Sequence, residues 1–196
     1  MLLRCCLCLL LWLPTAGFGR TFLANPSNYL NLLQQLQAGD ILQFQSGVYA
    51  SGLPVHNLQG SAVAAIQLLG PKLGDAIFVG RRGHNTVSIV DSAYIRISRL
   101  VLDGRGVGGD GVKAEGFAHF AHHITLDGLV IINHGAGQGI VGISSKCPSW
   151  DWVIRGNRII AAGTGMYLGN SDGRAPFVRG VIENNLVLNS IGYGIQ

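Results

Sequence analysis

Lys113 and Glu115 stand two residues apart in Val112-Lys113-Ala114-Glu115, a stretch with the apolar alternation of a strand. Side chains two apart on a strand share a face, so an amine and a carboxylate project together. Counting forward through the repeat set out below places Gly142, Tyr167 and Gln196 at the position of Lys113. It places Ser144 and Gly169 at that of Glu115. An amine, a carboxylate, a phenol and the gap left by Gly142 would suit a groove for a sugar acid. The pattern also fits a plain Lys–Glu pair on a solvated sheet. Lys146, Asp172 and Arg174 are loop candidates for the same face, although Asn170 to Arg174 also reads as an Asx-type turn without chemistry.

His119, His122 and His123 cluster just before a strand. Imidazole suits Zn²⁺, but no acidic or cysteine partner stands at zinc-site spacing. In a strand, His122 and His123 would face opposite sides. Corner or loop histidines are the simpler account, and His134, beside Gly135, reads as another loop histidine. Cys147 is a lone cysteine in a loop, a setting in which the thiol is inert more often than catalytic. No residue is assigned as a metal ligand.

A repeat must position these groups. Ile95-x-Ile97-x-x-Leu100-x-Leu102 recurs from Ile124, from Trp152 and from Gly180, at spacings of 29, 28 and 28 residues. Going back, it recurs in weaker form at Ile66 and Leu42. A fixed period of this size marks stacked units, none able to bury a core alone. The apolar residues alternate as in half-buried strands. Gly128, Gly156 and Asn184 tolerate a left-handed backbone and mark a sharp corner; Arg99, at the equivalent place, points to a different corner. Asn157 and Asn185 are one turn apart and predict a short amide ladder. Ser98, Asp127, Arg155 and Glu183 form an outward column, read as an ion-pair ladder or as a carbohydrate-binding row. A second strand in each turn carries inward Val112 and Ala114, Val141 and Ile143, Met166 and Leu168, then Ile195. Gly-rich stretches join the two strands.

Upstream, Ser27 is placed to cap a short amphipathic helix with Tyr29, Leu30, Leu33 and Leu36. Gly39-Asp40-Ile41-Leu42-Gln43-Phe44 and Gly47-Val48-Tyr49 follow. This succession resembles the first turn of secreted β-helix polysaccharide lyases. Residues 22–196 resemble the right-handed parallel β-helix of the pectate-lyase superfamily, including the chondroitinase B and alginate lyase group. The fold expected is all-β: a solenoid of ~28-residue turns with an N-terminal capping α-helix. Right-handedness is implied by the resemblance alone. The resemblance also implies an acidic polysaccharide as partner, a Lys and Arg pair, and acidic residues binding Ca²⁺. Lys113 and Glu115 match that pattern by residue type only, and the cofactor is left open.

Residues 1–19 read as a signal peptide: Arg4, an apolar run from Leu7 to Leu13 too short to span a bilayer, then small residues. An uncleaved anchor is the alternative. The domain expected is 20–196, secreted, periplasmic or at the cell surface, without a stable membrane anchor and monomeric. Cys5, Cys6 and Cys8 leave with the signal, so Cys147 has no partner for an internal disulfide. The formal charge of +4 falls by 2 if cleavage follows Arg20 and otherwise by 1. That slight basic excess favours an acidic glycan weakly, and no nucleic-acid motif appears. No polar cap closes the last repeat, which reads as a C-terminally incomplete solenoid.

The function expected is a polysaccharide lyase cleaving a uronic-acid glycan by β-elimination. Lys113 and Tyr167 are the catalytic candidates, and Glu115, Lys146, Arg174 and Gln196 the substrate-binding ones. The alternatives are a non-catalytic carbohydrate-binding or adhesin-like β-helix, and a β-helix glycoside hydrolase. The Asp-Asp pair and Gly-His-Gly expected of a polygalacturonase are absent.

Overall fold

A computed structural model describes residues 19–196. The expected signal peptide falls almost entirely on residues 1–18, outside the described residues. The chain winds about five times as a parallel β-solenoid. Each full turn contributes to three sheets, of nine, six and five strands. In the third turn these strands are Ser92–Ser98, Val101–Asp103 and Val112–Glu115. In the fourth they are Ala121–Asp127, Val130–Ile132 and Val141–Ser145. The sequence period thus holds three strands, not two. What reads as one unit from Ile95 to Leu102 crosses a corner and joins two sheets.

Parallel register stacks like upon like. Leu42, Leu68, Ile97, Leu126, Ile154 and Ile182 pair in succession along the first sheet. All but the last are fully buried, and each such side chain contributes roughly 1.5–3 kcal/mol. The inward strand residues of the third sheet include Val112, Ile143 and Met166. Leu168 only packs against the core, and Ile195, on the last described turn, is exposed.

Corners recur in register. Arg99 has φ 55°, in line with Gly128, Gly156 and Asn184. It therefore makes the same corner as they do, contrary to the sequence reading. The Arg99 guanidinium donates to the Gly70 carbonyl one turn back, at 3.0 Å, which helps hold a conformation costly for a non-glycine residue. The amide ladder forms as expected. Asn157 donates to Asn185 Oδ1 at 2.9 Å, and its own Oδ1 accepts from Leu129 N–H at 2.9 Å.

At the N-terminal end, strand Thr21–Ala24 adds a rung before the helix. The helix is a single turn, Tyr29–Leu33, and its N-cap is Asn28. Ser27 does not cap it: its hydroxyl donates to Asn25 Oδ1 at 2.7 Å. Tyr29 instead drives the helix into the core, edge-on to Tyr49 and Phe78. Its phenol donates to Gly52 O at 2.7 Å.

Candidate functional site

The outer face of the third sheet carries most of the residues singled out from the sequence. Lys113 pairs in register with Ser144, and Ser144 with Tyr167. Gln196 stands beside Tyr167, one residue beyond the Met166–Ile195 bridge. The column is therefore Ser88, Lys113, Ser144, Tyr167 and Gln196, two residues out of step with the count that put Gly142 beside Lys113. A Cβ on Gly142 would lie 2.6 Å from Ile159 Cγ2 and 2.6 Å from the Gly165 carbonyl. Gly142 thus permits close packing between the sheets and leaves no gap in the outer face.

An open chamber of about 780 Å³ is lined by Lys113, Lys146, Tyr167 and Gln196, together with Asp110 and Thr164. Four of the six expected site residues thus meet. Glu115 lines an adjoining chamber, and its carboxylate pairs with Lys113 Nζ at 2.8 Å. Arg174 lines neither. It is exposed in the Asn170–Arg174 turn, where its backbone N–H donates to Asp172 Oδ1 at 3.0 Å, the Asx-type arrangement.

Lys146 is the central cation. Its ammonium lies 3.0 Å from the centroid of the Tyr167 ring and donates to Gly169 O at 3.3 Å. Burial pulls the Lys146 ammonium below its ordinary value, and Lys113 adds to this. The Ser171 hydroxyl, and less strongly Lys146, hold the Tyr167 phenol below its ordinary value. Both shifts bring amine and phenol toward the range where a proton can move near neutral pH.

Asp110 stands at the end of the Gly-rich stretch from Gly104 to Gly111. Here it accepts from Val141 N–H at 2.9 Å and from the Ser144 hydroxyl at 2.7 Å, and Asn85 Oδ1 accepts from its N–H at 3.1 Å. It joins three successive turns at the chamber wall. No periodic pattern marks it, because its partners come from loops of different length.

A calcium site does not fit this chamber. Asp110 is its one lining carboxylate and is already bonded, and Glu115 is held by Lys113. Among the described residues no group of three or more His, Cys, Asp or Glu side chains is placed to hold a metal.

The histidines singled out from the sequence lie elsewhere. His122 and His123 do share a side, with their Nδ1 atoms 2.7 Å apart. The sequence expectation failed because His123 has φ 53°, which breaks the alternation of the strand. His122 stacks on Trp150 and His123 on Tyr94. His123 Nε2 is 3.4 Å from Asp151, which Arg179 grips with two nitrogens. His134 is fully buried, not at the groove, and its Nδ1 contacts Gly109 O at 3.0 Å. Burial pushes the Cys147 thiol up to about 11, which leaves it unreactive. In the outward column of the first sheet, Asp127 pairs with Arg155 of the same column and with Arg96 of the neighbouring one. Burial raises that carboxyl, but Arg155 and Arg96 hold it below its ordinary value.

No family model and no curated protein matches the sequence. Solved structures do resemble the fold. An alginate lyase from Paenibacillus sp. str. FPU-7 superposes at TM-score 0.69 with 21% identity, covering 86% of this chain and 58% of its own. A mannuronic-acid-specific polysaccharide family 6 lyase from human gut microbiota gives 0.62 and 13%, covering 90% and 51%. A GH136 lacto-N-biosidase from Eubacterium ramulus gives 0.52 and 13%, covering 76% and 43%. The chain thus spans less than two thirds of each of these structures. At such identities the likeness speaks for the fold, and the same fold carries lyases and a glycosidase alike. The protein is a parallel β-solenoid, the fold it shares with these structures.

Proposed function

We propose that this protein is a secreted polysaccharide lyase that cleaves a uronic-acid glycan by β-elimination on the outer face of its third sheet. The observation that carries the reading is the meeting of Lys113, Lys146 and Tyr167 in one open chamber, with Lys146 set against the Tyr167 ring.

Elimination requires the uronate carboxylate to be neutralised, so that the C5 proton becomes acidic. Lys113 supplies that charge, and Lys146 adds to it. Tyr167, as phenolate, takes the C5 proton. The C5–H electron pair becomes the C4–C5 double bond, and the C4–O4 bond breaks with its electrons on O4. The phenol then returns its proton to O4, restoring the phenolate. Gln196 offers neutral hydrogen bonds to sugar hydroxyls.

Hydrolysis is the weaker reading. It needs two carboxylates flanking the bond, and this chamber is lined by Asp110 alone, bonded at both oxygens. Among the described residues no helix is long and apolar enough to cross a membrane.

The test is incubation of the purified protein with alginate, pectate and chondroitin while the short-ultraviolet absorbance of a conjugated C4–C5 double bond is followed. A rise on one polymer that Lys113→Ala abolishes supports the reading. New reducing ends without that absorbance would identify a hydrolase instead.

A further inference from the structure

The adjoining chamber, about 300 Å³, is lined by Arg81, His84, His56, Ser88 and Glu115. It shares Gly83 and Asn85 with the central chamber, so the two form one continuous groove. His56 Nε2 and Ser88 Oγ are 3.0 Å apart. Ser88 lies directly beside Lys113 in register, and His56 is two rungs from Glu115 in the next column. Gly83, at φ 75°, closes the tight turn in which His84 N–H donates to Arg81 O at 3.1 Å. That turn sets Arg81 and His84 at the chamber wall. The Arg81 guanidinium reaches back over Gly52, where an added Cβ would lie 3.2 Å from it. Among the described residues no ion pair engages Arg81.

The groove runs along the solenoid axis, with rungs ~4.8 Å apart. That step is close to the length of one sugar unit, so a chain laid along the groove advances about one residue per rung. Lys113, at the central chamber, is one rung from Ser88 and two from Pro54. A second acidic residue of the same chain would therefore meet Arg81 and His84 while the first meets Lys113. Toward the opposite end, the Lys146 ammonium lies over Tyr167, one rung from Gln196.

We infer that the Arg81–His84–His56 chamber is a second anion-binding subsite of the groove, taking the carboxylate of a neighbouring uronic-acid residue and favouring chains over short fragments. The inference rests on the lyase reading for the identity of the ligand. It makes Arg81 a binding residue, not a catalytic one.

The test is calorimetric binding of uronate oligomers of two to six residues (mannuronate, guluronate and galacturonate series) to the whole chain, to Arg81→Gln and to Lys113→Ala, with thermal midpoints measured in parallel. The expected result is a loss of about 10-fold in affinity in Arg81→Gln for the longer oligomers and none for the dimer, as for one charge-assisted contact. Arg81→Lys should recover part of the loss, which a merely structural role would not show. If Lys113→Ala weakens every length and Arg81→Gln none, the second subsite is overturned while the lyase reading stands. If no oligomer binds the unaltered chain, both fall.

Discussion

The Lys146 ammonium and the Tyr167 ring are in direct contact, 3.0 Å from nitrogen to ring centroid, although the residues are 21 apart in the sequence. The contact acts in opposite directions on the two groups: Lys146 lowers the proton affinity of the phenol, whereas Tyr167 raises that of the amine. Burial disfavours the charged Lys146, and Lys146 in turn favours phenolate at Tyr167. Removing the amine should therefore raise the Tyr167 pKa. Lys146→Met is expected to move the rising limb of the pH–rate profile to higher pH, because less phenolate exists at any given pH. A profile unchanged in position would show that Tyr167 is not the base.

Glu115 holds Lys113 at 2.8 Å, and on the proposed lyase reading it competes with substrate for that ammonium. A uronate carboxylate must displace it. Glu115→Gln keeps the shape and removes the rival charge, and should tighten binding of uronate oligomers by about 3- to 10-fold, within the range of one partly exposed ion pair. Weaker binding in this variant would show that Glu115 contacts the sugar directly.

Gly111, Gly142, Gly165 and Gly194 stack one above the next, each added Cβ among the first three lying within 2.6 Å of the following carbonyl. Those on Gly142 and Gly165 would also strike Ile159 and Val187. Gly142→Ala should cost about 3 kcal/mol of stability. Gly137→Ala, where nothing lies within 4 Å, should be near neutral. Chemical denaturation of both variants checks this, and equal midpoints would rule out the packing account.

Acid should loosen the fold in two stages. Burial depresses the His134 pKa from 6.5, so the unfolded chain binds a proton there before the folded one does. Its stabilising contribution is complete above pH 6.5 and declines as pH falls below it. His56 and His122, also depressed by burial, act in the same direction. Asp91 accepts from the backbone N–H groups of His119, Phe120 and Ala118, and its pKa lies below 3.8. Its contribution is complete above pH 3.8 and is lost progressively as pH falls from there through that lower value. Thermal midpoints measured from pH 7.5 to 5 should fall for the wild type and fall less for His134→Phe. Parallel curves would assign the decline to other groups.

The sequence disclosed the architecture because a solenoid writes its register in plain periodicity. Ile97, Leu126 and Ile154 align by counting alone, as do Asp127, Arg155 and Glu183. Counting failed wherever a turn changes length or hand. The loop from Gly135 to Ile140 shifts the third sheet by two residues, so Ser144 and not Gly142 neighbours Lys113. His123 adopts a left-handed backbone that no residue-type rule demands, and its ring joins His122 for that reason. Lys146 was legible as a loop cation. Its contact with Tyr167 was not, because it depends on how the strand Val141–Ser145 ends. Arg81, His84 and His56 gave no signal, since they come from a turn and a strand in different rungs.

The most direct measurement is the initial rate of conjugated double-bond formation on an acidic polysaccharide, compared between the wild type and Tyr167→Phe at equal folded concentration. Loss of a proton-transfer group predicts a fall of about 10²- to 10⁴-fold in kcat, with oligomer binding changed little. Full activity in Tyr167→Phe, or tight binding of the glycan with no absorbance change in either protein, would contradict the assignment of this groove as a lyase site.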